Sequence, residues 1–148
     1  MRLAVDVGSV RIGVARSDAT GTLAVPECTL DARESWTSRL AELVAEYDAI
    51  EIIVGLPVSL DGRERAAAAS VREAVAEIVL ECPEVPVRLV DERLTTSAAH
   101  VQFRQAGVSA RKGRAVVDQA AAVIMLQNAL DTERATGTAP GTLTNGRP

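Results

Sequence analysis

At three places, carboxylates stand where an apolar core sequence should not carry them. Asp6 lies between Val5 and Val7 in the run RLAVDV, Asp91 and Glu92 close the run VRLV, and Asp118 follows Val116-Val117 with Ala121 and Ala122 one turn on. A buried carboxylate without a partner is costly, so it needs a cation, a hydrogen-bond network or a proton. For Asp118 the plain structural alternative is a salt bridge to Arg114, four residues earlier. Acids at strand ends are often simply solvated. If strand ends and a covering helix converge, however, three carboxylates repel one another unless a divalent cation joins them. All-oxygen ligands suit Mg²⁺ or Mn²⁺. Two such ions about 4 Å apart activate a water and stabilise the leaving oxygen in phosphodiester cleavage. Side chains alternate along a strand, so only one of Asp91 and Glu92 can face such a site, and spacing leaves that choice open.

Two further segments could meet phosphate. Asp6-Val7-Gly8-Ser9, with Arg11 and Gly13, places backbone N–H groups beside the first acid, where Gly8 permits close approach; a plain hairpin turn explains the same residues. Gly55-Leu56-Pro57 and Asp61-Gly62-Arg63 form a strand–loop–helix junction whose helix N-terminus could receive an anion, or could be a loop without a ligand. Charge is unevenly spread. The net charge of -4 divides into +1 over residues 1–26, -8 over 27–87, +4 over 88–117 and -1 over 118–148. The basic block (Arg88, Arg93, Arg104, Arg111, Lys112 and Arg114) is the stretch suited to a phosphate backbone.

The elements that must position these groups follow from periodicity. Residues 2–7, 10–17 and about 22–25 read as three short strands with tight connections, an antiparallel meander ending at Pro26. Trp36, Leu40, Leu43, Val44 and Tyr47 share one face of a helix for which Ser35 is a candidate N-cap. A strand over 50–54, a helix over about 64–81, a strand over 87–90 and a short helix from Thr96 or Ser97 to about 105 follow. The last helix, about 114–131, has almost no polar face in its first half and is expected to be buried. The expected architecture is one α/β domain over residues 1–131, a mixed five-stranded sheet flanked by helices, followed by a disordered tail over 132–148 rich in Thr, Gly and Pro.

Composition removes other classes. At 148 residues and 47% hydrophobic, the chain can bury a core, and no apolar run reaches the roughly 18 residues of a membrane span. Asp6 interrupts the apolar stretch a signal peptide would need, so a cytoplasmic protein is expected. One His and two Cys (Cys28, Cys82) exclude a site built on several His or Cys ligands, and both thiols are expected to be reduced. Trp36, Tyr47 and Phe103 are the only aromatics, which argues against gripping single strands by base stacking.

The motifs DVGSVRIGVARSD (6–18), IVGLPVSLDG (53–62), VDERLTT (90–96) and VDQAAAVIMLQNALD (117–131) occur in this order. With them the chain resembles the YqgF (RuvX) family over residues 2 to 131, a family described both as Holliday junction resolvases and as pre-16S rRNA nucleases. The resemblance implies an RNase H-like fold and a metal-dependent nuclease. It assigns the metal and catalytic roles to Asp6, Glu92 and Asp118, and thereby selects Glu92 over Asp91. The basic run Arg111, Lys112 and Arg114 also matches the family pattern. Two departures are visible: Arg-Glu-Arg follows Asp61-Gly62, and Ala121 and Ala122 stand where related resolvases often carry a fourth acid. The expected activity is Mg²⁺- or Mn²⁺-dependent phosphodiester hydrolysis, with Arg11, Arg93, Arg111, Lys112 and Arg114 on the nucleic acid. The expected substrate is structured RNA in pre-16S 5′-end maturation. A four-way DNA junction, cut by a dimer, is the alternative; the chain is taken as monomer or homodimer. Two rival classes remain: a non-catalytic RNA-binding factor, and a phosphotransferase of the actin type, which would need a second such domain.

Overall fold

The structure, a computed structural model, describes residues 1–57, 66–91 and 110–144, with side chains described from 119 onward in the last of these. Its elements are β1 (Arg2–Val7), β2 (Arg11–Ser17), β3 (Ala24–Asp31), α1 (Trp36–Tyr47), β4 (Glu51–Leu56), α2 (Ala66–Glu81), β5 (Val87–Asp91), α3 (Ala110–Thr136) and β6 (Thr142–Leu143). The strands form one mixed sheet in the order β3-β2-β1-β4-β5-β6. β1, β2 and β3 are the antiparallel meander, β4 lies parallel to β1, β5 lies parallel to β4, and β6 returns antiparallel on the far edge.

Alternation divides the core into two layers of different character. On one side Leu3, Val5, Ile12, Val14, Ile52, Val54, Val87 and Leu89 pack under Trp36, Leu40 and Leu43 of α1 and Val71, Val75 and Ile78 of α2. On the other, Ala4, Ala15, Ala24 and Ile53 receive Ala122, Met125, Leu126, Ala129 and Leu130 of α3. The alanines of that second face allow α3 to lie close to the sheet, which is why its sequence can be apolar and small. Burial is one-sided even so: Ala121 and Ala122 are buried, whereas Val123 and Ile124 are half-buried.

The structure corrects several expectations. β3 does not stop at Pro26 but runs to Asp31, with a register shift between Val14 and Ala15 where Pro26 pairs. It is an edge strand, and proline's missing N–H is tolerated there and at a bulge. Ser35 occupies the N-cap position of α1 without a side-chain cap hydrogen bond. α3 begins at Ala110 and runs to Thr136, and Thr142–Leu143 then adds a sixth strand, so the helix and sheet continue past the boundary expected at residue 131. The helix expected from Thr96 or Ser97 lies outside the described residues.

Candidate active site

Asp6 lies near the C-terminal end of β1 and is half-buried. Ala4, two residues earlier, faces α3, so alternation puts Asp6 on the same side. Its cross-strand partner on β2 is Gly13. On the other flank Val5 pairs with Val54, which sets Gly55 alongside Asp6. Both glycines are buried, and neither adopts the left-handed backbone that would itself demand glycine. The carboxylate therefore stands in a cross-strand row with no side chain on either neighbour.

Gly8 has a local explanation. Its N–H donates to the Arg11 carbonyl at 2.9 Å, and a Cβ at this position would stand 2.5 Å from that oxygen. The hairpin turn requires this glycine whether or not phosphate approaches. Arg11, two residues before Gly13 on β2, falls on Asp6's side of the sheet and pairs across to Asp31 on β3. Hydrogen bonds from the Arg33 guanidinium and backbone N–H hold the Asp31 carboxyl down to about 2.

Asp91 ends β5 and is exposed. Its predecessor Val90 packs toward α3, so Asp91 points to the opposite side of the sheet from Asp6. Glu92 and Arg93 lie outside the described residues. Asp118 is in α3, four residues ahead of the fully buried Ala122, and Arg111, Lys112 and Arg114 occupy the first turns of the same helix. The basic run is thus part of α3 rather than a segment preceding it. Arg88, counted with the basic block, is engaged elsewhere. It pairs with the buried Glu51 at 3.1 Å, at the start of β4, and donates to the Pro140 carbonyl.

Among the described residues, three polar ties fix α3 on the sheet. Gln119 Nε2 donates to Thr29 Oγ1 at 2.8 Å; Gln127 accepts from the Ala24 N–H and donates to the Thr22 carbonyl, each at 2.9 Å; Arg2 pairs with Glu133 at 3.0 Å. Passing along α3 they meet the end of β3, its start, and the start of β1. The helix therefore runs antiparallel to β1, with its N-terminal half toward the end that carries Asp6. Gln119 and Thr29 escaped the sequence reading, although a glutamine inside the run from Val116 to Leu126 was a visible signal. Among the described residues no three acidic, His or Cys side chains converge on a metal position, Asp6 being the one member of the predicted trio whose side chain is described. An all-oxygen donor set beside two glycines fits Mg²⁺ or Mn²⁺.

A mixed sheet that opens with an antiparallel meander, continues in parallel, and carries an acid on its first strand beneath a long C-terminal helix defines an RNase H-like protein. The solved structures agree in fold: Thermus thermophilus RuvC in complex with a Holliday junction superposes with a TM-score of 0.58 at 15% identity, covering 96% of this chain and 100% of that one. A second Thermus thermophilus RuvC structure gives 0.56 at 17%, covering 95% and 99%. The chain belongs to the RuvX family, whose profile, described as Holliday junction resolvase, matches residues 1–132. It is 54% identical over 142 residues to a Streptomyces coelicolor protein named as a candidate pre-16S rRNA nuclease, covering 95% of this chain and 85% of that one. A Thermobifida fusca protein named in the same way is 48% identical over 155 residues, covering 100% and 98%. Among the described residues no helix is long and apolar enough to cross a membrane.

Proposed function

We propose that this chain is a metal-dependent nuclease that hydrolyses phosphodiester bonds of structured RNA in the 5′-end maturation of pre-16S rRNA, in the cytoplasm. The observation that carries the reading is the placement of Asp6, half-buried on the α3 side of β1 between Gly13 and Gly55, at the end of the sheet toward which the N-terminal half of α3 points. The RNA substrate rests on the names of the relatives.

Asp6, Glu92 and Asp118 would hold the cation. What supports Glu92 over Asp91 is that alternation sends Asp91 to the side of the sheet opposite Asp6. Mg²⁺ or Mn²⁺ bound by these oxygens supplies the Lewis acidity for phosphodiester hydrolysis. The chain's own contribution is to hold carboxylates on rigid elements and to bring the phosphate backbone to them. α3 has no acid in its first turn and carries Arg111, Lys112 and Arg114 near its N-terminus, a placement the helix dipole disfavours. An anion at that end offsets both the dipole and the three cations, and Arg11 on Asp6's side of the sheet extends the same surface.

The test is cleavage of a labelled precursor 16S 5′-leader RNA beside a labelled four-way DNA junction, each with Mg²⁺, Mn²⁺ or EDTA, using Asp6→Asn as control. Metal-dependent cutting of the RNA at a defined site, lost in the variant, is expected. Paired nicking of the junction alone would replace this reading with resolvase activity, and binding of both without cutting would overturn the enzyme.

A further inference from the structure

Gln119 and its neighbour Asp118 are the two polar residues of the apolar segment 116–126, and the Gln119 amide donates to the Thr29 hydroxyl at 2.8 Å. Thr29 is the β3 partner of Gly13, and Gly13 is the β2 partner of Asp6. Thr29, Gly13 and Asp6 are therefore one cross-strand row, all on the α3 side, and the residue docked on that row is the immediate chain neighbour of Asp118. The other polar ties of α3 lie farther along, at Gln127 and Glu133. Beneath this part of the helix the sheet offers mainly small residues, Gly13, Ala15 and Ala4, with Ile53 beside Ala4. Such a smooth surface sets the height of a helix poorly. A slip by one residue carries each group about 1.5 Å along the axis and turns it by about 100°.

We propose that Gln119 and Thr29 are a positioning pair: their hydrogen bond sets where α3 stands over the Asp6 row, and so places Asp118 for the divalent cation that the two acids share. This rests on the nuclease reading above. The pair acts through Asp118 and touches neither cation nor nucleic acid. Removing the bond should therefore weaken metal binding while leaving the sheet and the rest of α3 in place. Partners that orient metal ligands in this way typically change affinity by about 10- to 100-fold when removed.

The test is Mn²⁺ binding to the full-length protein without nucleic acid, measured by calorimetry and by the loss of the free-Mn²⁺ resonance signal. The variants are Thr29→Val, Thr29→Ser, Gln119→Met and the double variant Thr29→Val/Gln119→Met, with thermal unfolding of each recorded alongside. Thr29→Val and Gln119→Met are expected to raise the Kd for Mn²⁺ about 10-fold. The double variant should be no weaker than Thr29→Val alone, because that change already removes the bond Gln119 makes. Thr29→Ser, which keeps the hydroxyl, should bind like wild type. In cleavage assays the singles should need more Mg²⁺ for half-maximal rate, with kcat largely recovered at saturating metal. If Thr29→Val fails to fold, Gln119→Met on the half-buried helix position carries the test. Wild-type Mn²⁺ affinity in the singles, or a Thr29→Ser variant as weak as Thr29→Val, overturns the positioning role alone. A wild-type protein that binds no Mn²⁺ overturns the metal-dependent reading, and the positioning role with it.

Discussion

At the scale of single residues, the informative feature of Asp6 is what stands beside it. An acid inside an apolar strand is visible in the sequence, and so were Gly13 and Gly55. That those two glycines flank the acid depends on strand register, which pairs residues far apart in the chain and leaves no local trace. Asp91 against Glu92 was undecidable for the same reason: the choice needs to know which side Val90 packs on. Asp6→Asn removes a ligand charge while keeping the shape. It should cut Mg²⁺-dependent cleavage by roughly 10²-fold or more, several kcal/mol of transition-state stabilisation at about 1.4 kcal/mol per decade. A kinetic series reads the loss, and circular dichroism checks that the variant keeps its fold. Asp31 makes a second residue-scale case. Its carboxyl is held down to about 2 by Arg33. The pKa is depressed in the folded protein, so the pair contributes stability above the ordinary carboxylate pKa of about 3.9 and loses it as pH falls toward about 2. Carbon-detected titration of the side chain should show that low value, and Arg33→Ala should raise it without restoring it fully, since the backbone N–H bond persists.

At the scale of elements, the sequence located β1, β2, α1 and β5 to within about a residue: α1 by its one buried face, and the strands, covered on both sides of the sheet, as short apolar runs bounded by turn residues. It failed where tertiary context overrides the local signal. Pro26 reads as a stop, yet β3 is an edge strand with a bulge and continues through it. β6 has two residues, too few for a pattern, and is fixed instead by Gly141, whose φ of +83° and close approach to the Leu89 carbonyl exclude a side chain. α3 was recognised as apolar, but not its extent, since its basic first turns and its polar last turn carry no apolar stripe. Its anchoring is mainly the seam against Ala4, Ala15 and Ala24, in which Leu126 is fully buried. Leu126→Ala is expected to cost about 2–5 kcal/mol in denaturant unfolding. Because the alanines opposite cannot move in to fill the space, the value should fall in the upper part of that range.

At the scale of the whole molecule, the net charge of -4 conceals a division that the fold makes spatial. The stretch 27–87, with net charge -8, runs from within β3 through α1, β4 and α2 to the start of β5, and its two helices cover the face opposite α3. The cations Arg111, Lys112 and Arg114 begin α3 on the other face, and Arg11 shares that face at the same end. A polyanion is accordingly expected to approach from the α3 side and to be repelled by the α1–α2 side. Replacing Arg111, Lys112 and Arg114 together with alanine separates this role from a structural one, because the two predict opposite signs. If the three cations bind phosphate, affinity should fall, and the slope of log K against log salt should become shallower by about 0.7 to 0.9 for each phosphate no longer neutralised. Stability should meanwhile hold or rise, since each cation near a helix N-terminus opposes the dipole by about 0.3–1 kcal/mol. Fluorescence anisotropy across a salt series, run beside thermal unfolding, reads both quantities from one set of samples. An unchanged slope, or a lower unfolding temperature, would instead make these residues part of the fold's own support and move the nucleic-acid surface away from the start of α3.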